Sequence, residues 1–253
     1  MTQSIPNYFQ NSHLDGDMIE HIGNLDIGVL LIHGFTATTV EVRLLADHFI
    51  GQGFNVTAPL LPGHGVSPAV LNKKKYSDWT ETVEKYFLDL QKRCRKIVVG
   101  GESMGAVLAM YLAEKYPQIA AIYLFSPALL VNKLRYTRFL RFFHPIVDKN
   151  LPEDDLPWQG YTVYPTRAAF QFYKLTRIVK RSLSKIISPT VIFQGRFDKT
   201  IDAENNDYIY DHINSQIKQK IWLESSGHVM LLDNEISLIK NSIDDFNARI
   251  QIL

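Results

Sequence analysis

Short, uninterrupted apolar runs alternate along this chain with longer stretches whose apolar positions recur every three to four residues. Gly28–His33 (Gly-Val-Leu-Leu-Ile-His) is such a run, ended by Gly34, and it reads as a strand buried on both faces. Val40, Leu44, Leu45, His48 and Phe49 form a helical stripe that stops at Gly51. Phe54 to Ala58 reads as a second strand, followed by the turn signals Pro62-Gly63 and Gly65. Trp79, Val83, Tyr86, Phe87 and Leu90 mark the next helix. Lys96 to Gly100 predicts a third strand, Met104 to Tyr116 a helix closed by Pro117, and Ala120 to Phe125 a fourth strand.

The rhythm then breaks. Between Ser126 and Lys185 no clear strand is expected; Pro145, Pro152, Pro157 and Pro165 punctuate an aromatic-rich tract. Regular alternation resumes with a strand at Thr190–Gln194, a helix near Ala203–Ile213, a strand at Lys220–Glu224 and a helix at Asn234–Ile250. Strand–helix alternation predicts an α/β fold with a mostly parallel, doubly wound sheet and helices on both faces. The expected organisation is a core of residues 1–125 and 186–253, with residues 126–185 inserted over one edge of the sheet.

Composition narrows the class. Of 253 residues, 46% are hydrophobic and 21% charged, and 14 Gly and 11 Pro are too few for a disordered or collagen-like chain. Twenty-seven basic against 26 acidic side chains give a net charge of +1, which lends a nucleic-acid partner no support. The single cysteine, Cys94, fits a reducing compartment. Met1 to Gly16 lacks the apolar stretch of a signal peptide, and every apolar run falls short of the roughly 18 residues a membrane span needs. These features together point to a cytoplasmic enzyme or binding domain without a transmembrane segment.

The sharpest local signal is Gly101-Glu102-Ser103-Met104-Gly105, which follows a strand and opens a helix. A serine on so sharp a turn sits in strained dihedrals, and side chains two residues either side of it would collide. Competing motifs fail: Gly100–Gly105 has Glu102 where a dinucleotide fingerprint needs glycine, no Gly-Lys-Ser/Thr occurs, and no His-Glu-x-x-His occurs. No metal or organic cofactor is called for.

A serine nucleophile needs a base, and the base needs an orienting acid. In doubly wound serine enzymes these follow the serine in the order acid, then histidine. Three of the eight histidines follow Ser103: His144 in the irregular tract, His212 inside a predicted helix, and His228 in the loop Glu224-Ser-Ser-Gly-His228. The last stands at the carboxyl edge of the sheet, where open α/β folds place their sites. Asp198, just after the strand Thr190–Gln194, is the favoured acid; Asp202 is the close alternative and is expected to cap the following helix. Asp148, Asp154 and Asp155 read as solvated loop charges, and Asp207 and Asp211 as exposed helix positions. The backbone N–H groups of Phe35 and Met104 are the candidate oxyanion donors, with His33 bracing their loop.

With Leu31-Ile-His-Gly-Phe-Thr36, Pro62-Gly-His-Gly65, Gly101–Gly105, Gln194-Gly-Arg-Phe-Asp198 and Glu224–Asp233 assembled, the chain resembles the α/β-hydrolase superfamily, and within it the bacterial carboxylesterase and monoacylglycerol-lipase branch. The resemblance implies a catalytic set of Ser103, His228 and Asp198, an oxyanion hole from Phe35 and Met104, and a cap formed by the insertion. It implies a serine esterase acting on short- to medium-chain acyl esters or monoacylglycerols. A thioesterase, lysophospholipase or carbon–carbon bond hydrolase would use the same residues, and a non-catalytic binding protein of this fold is the alternative from another class. Two features depart from the pattern: Glu102 puts an acid beside the serine, and the short segment before Gly28 leaves room for few edge strands. Within the cap, Leu134–Phe143 is expected to form a helix with Tyr136, Phe139, Leu140 and Phe143 on one face. That face would bind acyl chains, and Lys133, Arg135, Arg138 and Arg141 would favour weak contact with an anionic lipid surface; alternatively the aromatic face packs on the domain and the basic residues are simply solvated.

Overall fold

Strands that are apolar on both faces must be covered by helices on both sides, and the computed structural model, which describes residues 8–150 and 156–252, shows that arrangement. In chain order the elements are β1 (Phe9–Gln10), β2 (Ile19–His21), β3 (Ile27–Ile32), α1 (Val40–Gly51), β4 (Asn55–Ala58), α2 (Pro68–Leu71), α3 (Tyr76–Gln91), β5 (Lys96–Glu102), α4 (Met104–Lys115) and β6 (Ala121–Phe125). Then come α5 (Thr137–Phe143), β7 (Ile146–Asp148), β8 (Gly160–Tyr161), β9 (Val163–Pro165), α6 (Thr166–Lys180), β10 (Thr190–Gly195), α7 (Glu204–His212), β11 (Lys218–Leu223) and α8 (Ile236–Arg249).

The central sheet runs β11-β10-β6-β5-β3-β4-β2. All its pairings are parallel except the edge strand β2, which lies antiparallel to β4. Alternating side chains divide the core in two. Leu30, Ile32, Val99, Ile122, Leu124 and Ile192 point to the face covered by α3, α4 and α6. Val29, Leu31, Val98, Tyr123, Phe125, Val191 and Phe193 point to the face covered by α1 and α8. On α1 the stripe read from sequence is buried at Val40, Leu45 and Phe49, half-buried at His48 and exposed at Leu44, and the buried face also takes in Val42 and Ala46. Among the described residues, no helix is long and apolar enough to cross a membrane.

The tract after β6 departs from expectation. Its described residues contain three short strands, not none. β7 pairs antiparallel with β9, and β8 pairs with β1, so the first strand among the described residues stands outside the central sheet and braces this tract. It also contains α6, whose buried face of Ala168, Ala169, Phe172, Leu175, Thr176 and Val179 packs into the larger core. The helix expected over Leu134–Phe143 divides into a 3₁₀ turn, Asn132–Tyr136, and α5. Its aromatic face is not packed on the core: Tyr136, Phe139 and Phe143 are 51%, 61% and 80% exposed.

Candidate active site

Ser103 stands between β5 and α4 with φ +56° and ψ −111°, a conformation disfavoured for a side-chain-bearing residue. The turn is sharp enough that a Cβ on Gly101 would lie 2.2 Å from the Gly105 carbonyl carbon, and one on Gly105 would lie 2.0 Å from the Ile32 carbonyl oxygen. Both glycines are thus required by close backbone approach. The Ser103 N–H is held by the Phe125 carbonyl at 2.9 Å.

Three distant segments meet at this turn. His228 Nε2 lies 3.1 Å from Ser103 Oγ, and His228 Nδ1 lies 2.9 Å from Asp198 Oδ2. The Asp198 side chain has no exposed surface, and its Oδ1 accepts the N–H groups of Thr200 and Ile201 at 2.8 and 2.9 Å. Gln194 Nε2 donates to Oδ2 at 3.0 Å. Burial pushes the Asp198 carboxyl upward, but the His228 charge and these hydrogen bonds outweigh it and hold the group below the usual carboxylate range. Burial likewise opposes a charge on His228; the Asp198 charge and hydrogen bond, helped by Glu41, outweigh it and raise the imidazole above its ordinary value.

The loop that carries His228 is set by two residues the sequence reading left without a role. Glu235 accepts the N–H groups of Glu224 and Ser225 at 3.0 and 2.9 Å and the Ser226 hydroxyl at 2.6 Å. Asp233 accepts the Gly227 N–H at 3.0 Å. Acids shortly after a Ser-Ser-Gly turn are the signal that marks them.

The other candidate acids and histidines stand apart. Asp202 is exposed, and α7 begins after Ala203 with no side-chain cap, so the expected capping by Asp202 does not occur. His144 is exposed in the tract after α5. His212 is exposed at the end of α7, its ring stacked on Tyr208 at 3.9 Å. Asp148 is exposed, as are Asp207, paired with Lys220, and Asp211, whereas Asp154 and Asp155 lie outside the described residues.

The loop after β3 runs beside Ser103: a Cβ on Gly34 would lie 3.3 Å from Ser103 Cβ. Phe35 follows, its ring packed on Trp79 and Phe172 at 6.1 and 5.7 Å. Met104 opens α4, so its N–H has no partner within the helix. His33 is buried; its Nε2 accepts the Leu61 N–H at 3.0 Å, which puts the ring proton on Nδ1, where it donates to the Gly34 carbonyl at 2.9 Å. Burial lowers this imidazole to about 4, so it stays neutral and braces the loop.

Two buried acids flank Ser103. Glu41 Oε2 accepts the Gly34 N–H at 2.5 Å. Glu102 Oε1 accepts the Leu231 N–H at 3.4 Å, and its Oε2 has no partner among the described residues. Burial pushes both carboxyls up, and for Glu102 the charge of Glu41 adds to the effect, carrying it well above the usual range. Glu102 is raised further than Glu41, whose short N–H bond and nearby Lys149 ammonium partly offset burial.

A family model described as Serine aminopeptidase, S33, matches residues 24–167. The chain is 32% identical over 229 residues to a thermostable monoacylglycerol lipase of Bacillus sp. strain H-257, covering 88% of this chain and 91% of the relative. It is 28% identical to a carboxylesterase of Bacillus subtilis strain 168, covering 87% and 92%. A solved structure described under "LipS and LipT, two metagenome-derived lipolytic enzymes" superposes with a TM-score of 0.87 at 29% identity, covering 92% of this chain and 98% of the other. The monoacylglycerol lipase of Paleococcus ferrophilus shares the fold, with a TM-score of 0.77 at 17% identity over 92% of this chain and 98% of that one. With more than half of its length matched by the family model, and with the parallel sheet and serine turn described above, the chain belongs to the α/β-hydrolase family Serine aminopeptidase, S33.

Proposed function

We propose that the protein is a serine ester hydrolase that works by two-step acyl transfer, with Ser103 as nucleophile, His228 as base and Asp198 as orienting acid. The observation that carries this reading is the unbroken chain from Ser103 Oγ to His228 Nε2 at 3.1 Å and from His228 Nδ1 to Asp198 at 2.9 Å. Ser103 Oγ attacks the ester carbonyl carbon while its proton passes to His228 Nε2. The Phe35 and Met104 N–H groups receive the oxyanion. As the tetrahedral intermediate collapses, the imidazolium protonates the departing alkoxide. Water, deprotonated by the same imidazole, attacks the acyl-serine; the acid is released and Ser103 regains its proton. Atoms and charge balance with no further co-reactant.

The relatives' names, a monoacylglycerol lipase and a carboxylesterase, support carboxylic esters or monoacylglycerols as substrates, and we take the acyl chains to be short to medium in length. Residues 126–185 serve as the cap over a core of 1–125 and 186–253. Tyr136, Phe139, Leu140 and Phe143 are its acyl-contacting candidates. Rings exposed beside Arg135, Arg138 and Arg141 also support weak contact with a lipid surface. Ser103→Ala should abolish turnover of p-nitrophenyl esters and labelling by a fluorophosphonate, with the circular dichroism spectrum retained. Wild-type-like turnover in that variant would remove the nucleophile assignment. A rate that does not vary with acyl length across an ester series contradicts a defined acyl pocket.

A further inference from the structure

The turn Gly34–Phe35–Thr36 is held from two sides by opposite charges. On the α1 side, the buried Glu41 carboxylate accepts the Gly34 N–H at 2.5 Å. On the other, Lys149, which follows β7, donates to Thr36 Oγ1. Lys149 reaches there along an aromatic wall, its ammonium 5.0 Å from the Tyr164 ring centre and 5.5 Å from that of Trp158. Its backbone N–H is fixed to the Thr162 carbonyl at 3.1 Å. Thr36 is itself strained at φ +68°, and its carbonyl accepts the Tyr161 N–H at 2.9 Å. The turn therefore depends on the 126–185 tract for its shape.

We propose that Glu41 and Lys149 are positioning residues for acyl transfer: they clamp the two ends of the oxyanion turn, and they set one negative and one positive charge beside His228. The proposal rests on the Ser103–His228–Asp198 reading. Acting on His228 are Asp198, Glu41 and Lys149. Burial and the Glu41 charge push the Glu102 carboxyl well up, and burial pushes the His33 and His64 imidazoles down. Burial pushes the Glu41 carboxyl up, against the Gly34 N–H bond and the His228 and Lys149 charges; in its ionised form it favours the imidazolium that forms when Ser103 attacks, and Lys149 opposes it. Burial also lowers Lys149 to about 7, so its charge is present over the acid side of the activity profile and fades above it.

The test is the pH dependence of kcat/KM on a p-nitrophenyl ester between about pH 5 and 9, for wild type, Glu41→Gln, Lys149→Met and Lys149→Arg. Glu41→Gln keeps an acceptor for the Gly34 N–H but loses the charge; its acid limb should move down by roughly half a unit to one unit. Lys149→Met should move the limb up by about half a unit, and Lys149→Arg should restore its position. Limbs that stay in place, or that move in the same direction, overturn the proposal. Should Glu41→Gln fail to fold by circular dichroism, the Lys149→Met and Lys149→Arg pair decides alone. Activity surviving in Ser103→Ala defeats the triad reading instead, so the two failures are distinguishable.

Discussion

Glu102 makes the cost of burying a proton-binding group measurable. Its side chain is fully enclosed, with one long hydrogen bond to the Leu231 N–H and the Glu41 charge close by. Its folded-state value is therefore well above the unfolded 4.5. For an acid raised in this way, the stabilising contribution is complete below the unfolded value and is lost as pH climbs toward the folded one. Over that window the folded state must hold a proton the unfolded chain releases. The loss is about 1.4 kcal/mol per pH unit, the free energy of one unit of proton activity. Glu102→Gln keeps the shape and the acceptor for Leu231 but removes the titration. In a domain of this size 1 kcal/mol moves Tm by about 2–4 °C. The Tm advantage of Glu102→Gln should thus vanish near a pH of about 4.5 and widen as pH climbs toward the folded-state value, by about 3–5 °C per unit at its steepest. Scanning calorimetry of both proteins from pH 4.5 to 8 at matched ionic strength reads this directly. A Tm gap that does not change with pH means Glu102 ionises as freely folded as unfolded, and the reasoning fails.

Three further outcomes follow from the same geometry. Asp198→Asn should lower kcat by about 10⁴-fold, because the amide no longer holds the Nδ1–H tautomer of His228, whereas Asp202→Asn should be mild; steady-state kinetics of the two variants, ranked the other way, would transfer the acid's role to Asp202. Because Asp198 outweighs burial at His228, the acid limb of wild-type kcat/KM should fall above 6.5, with activity lost as pH drops through it; a limb below 6.5 in a pH–rate profile contradicts that balance. Gly105→Ala would put a methyl 2.0 Å from the Ile32 carbonyl oxygen and should cost more than about 3 kcal/mol, while Gly51→Ala, with open space at the end of α1, should raise stability by about 0.5–1 kcal/mol; chemical denaturation midpoints that do not separate the two refute the close-approach argument.

Legibility followed whether information was local. A strand buried on both faces leaves a continuous apolar run, so β3, β5, β6 and β10 were readable to within a residue or two. The serine turn was readable because its strain demands two glycines within five residues. The tract after β6 was not, since β1 and β8 are two residues each and make sense only through pairing across the chain, Phe9 with Tyr161. α6 is hard to read because aromatic residues interleave with its stripe at Phe170 and Tyr173, which stay partly exposed and blur the period.

The charges around the turn were illegible for a different reason. Glu41 reads in sequence as an acid in a helix's first turn, a routine place for one. Lys149 reads as a solvated cation after a run of aromatics. Only the fold buries Glu41, half-buries Lys149 and points both at the same three-residue turn. Glu102 alone carried a local warning. An acid at the end of a strand otherwise free of charge after Lys96, beside the candidate nucleophile, must either be paired or keep its proton. The absence of a cation against it, among the described residues, selects the second. An uncharged Glu102 leaves Glu41 free to act on the imidazole, so one anomaly in the serine motif accounts for the charge state of the site behind it.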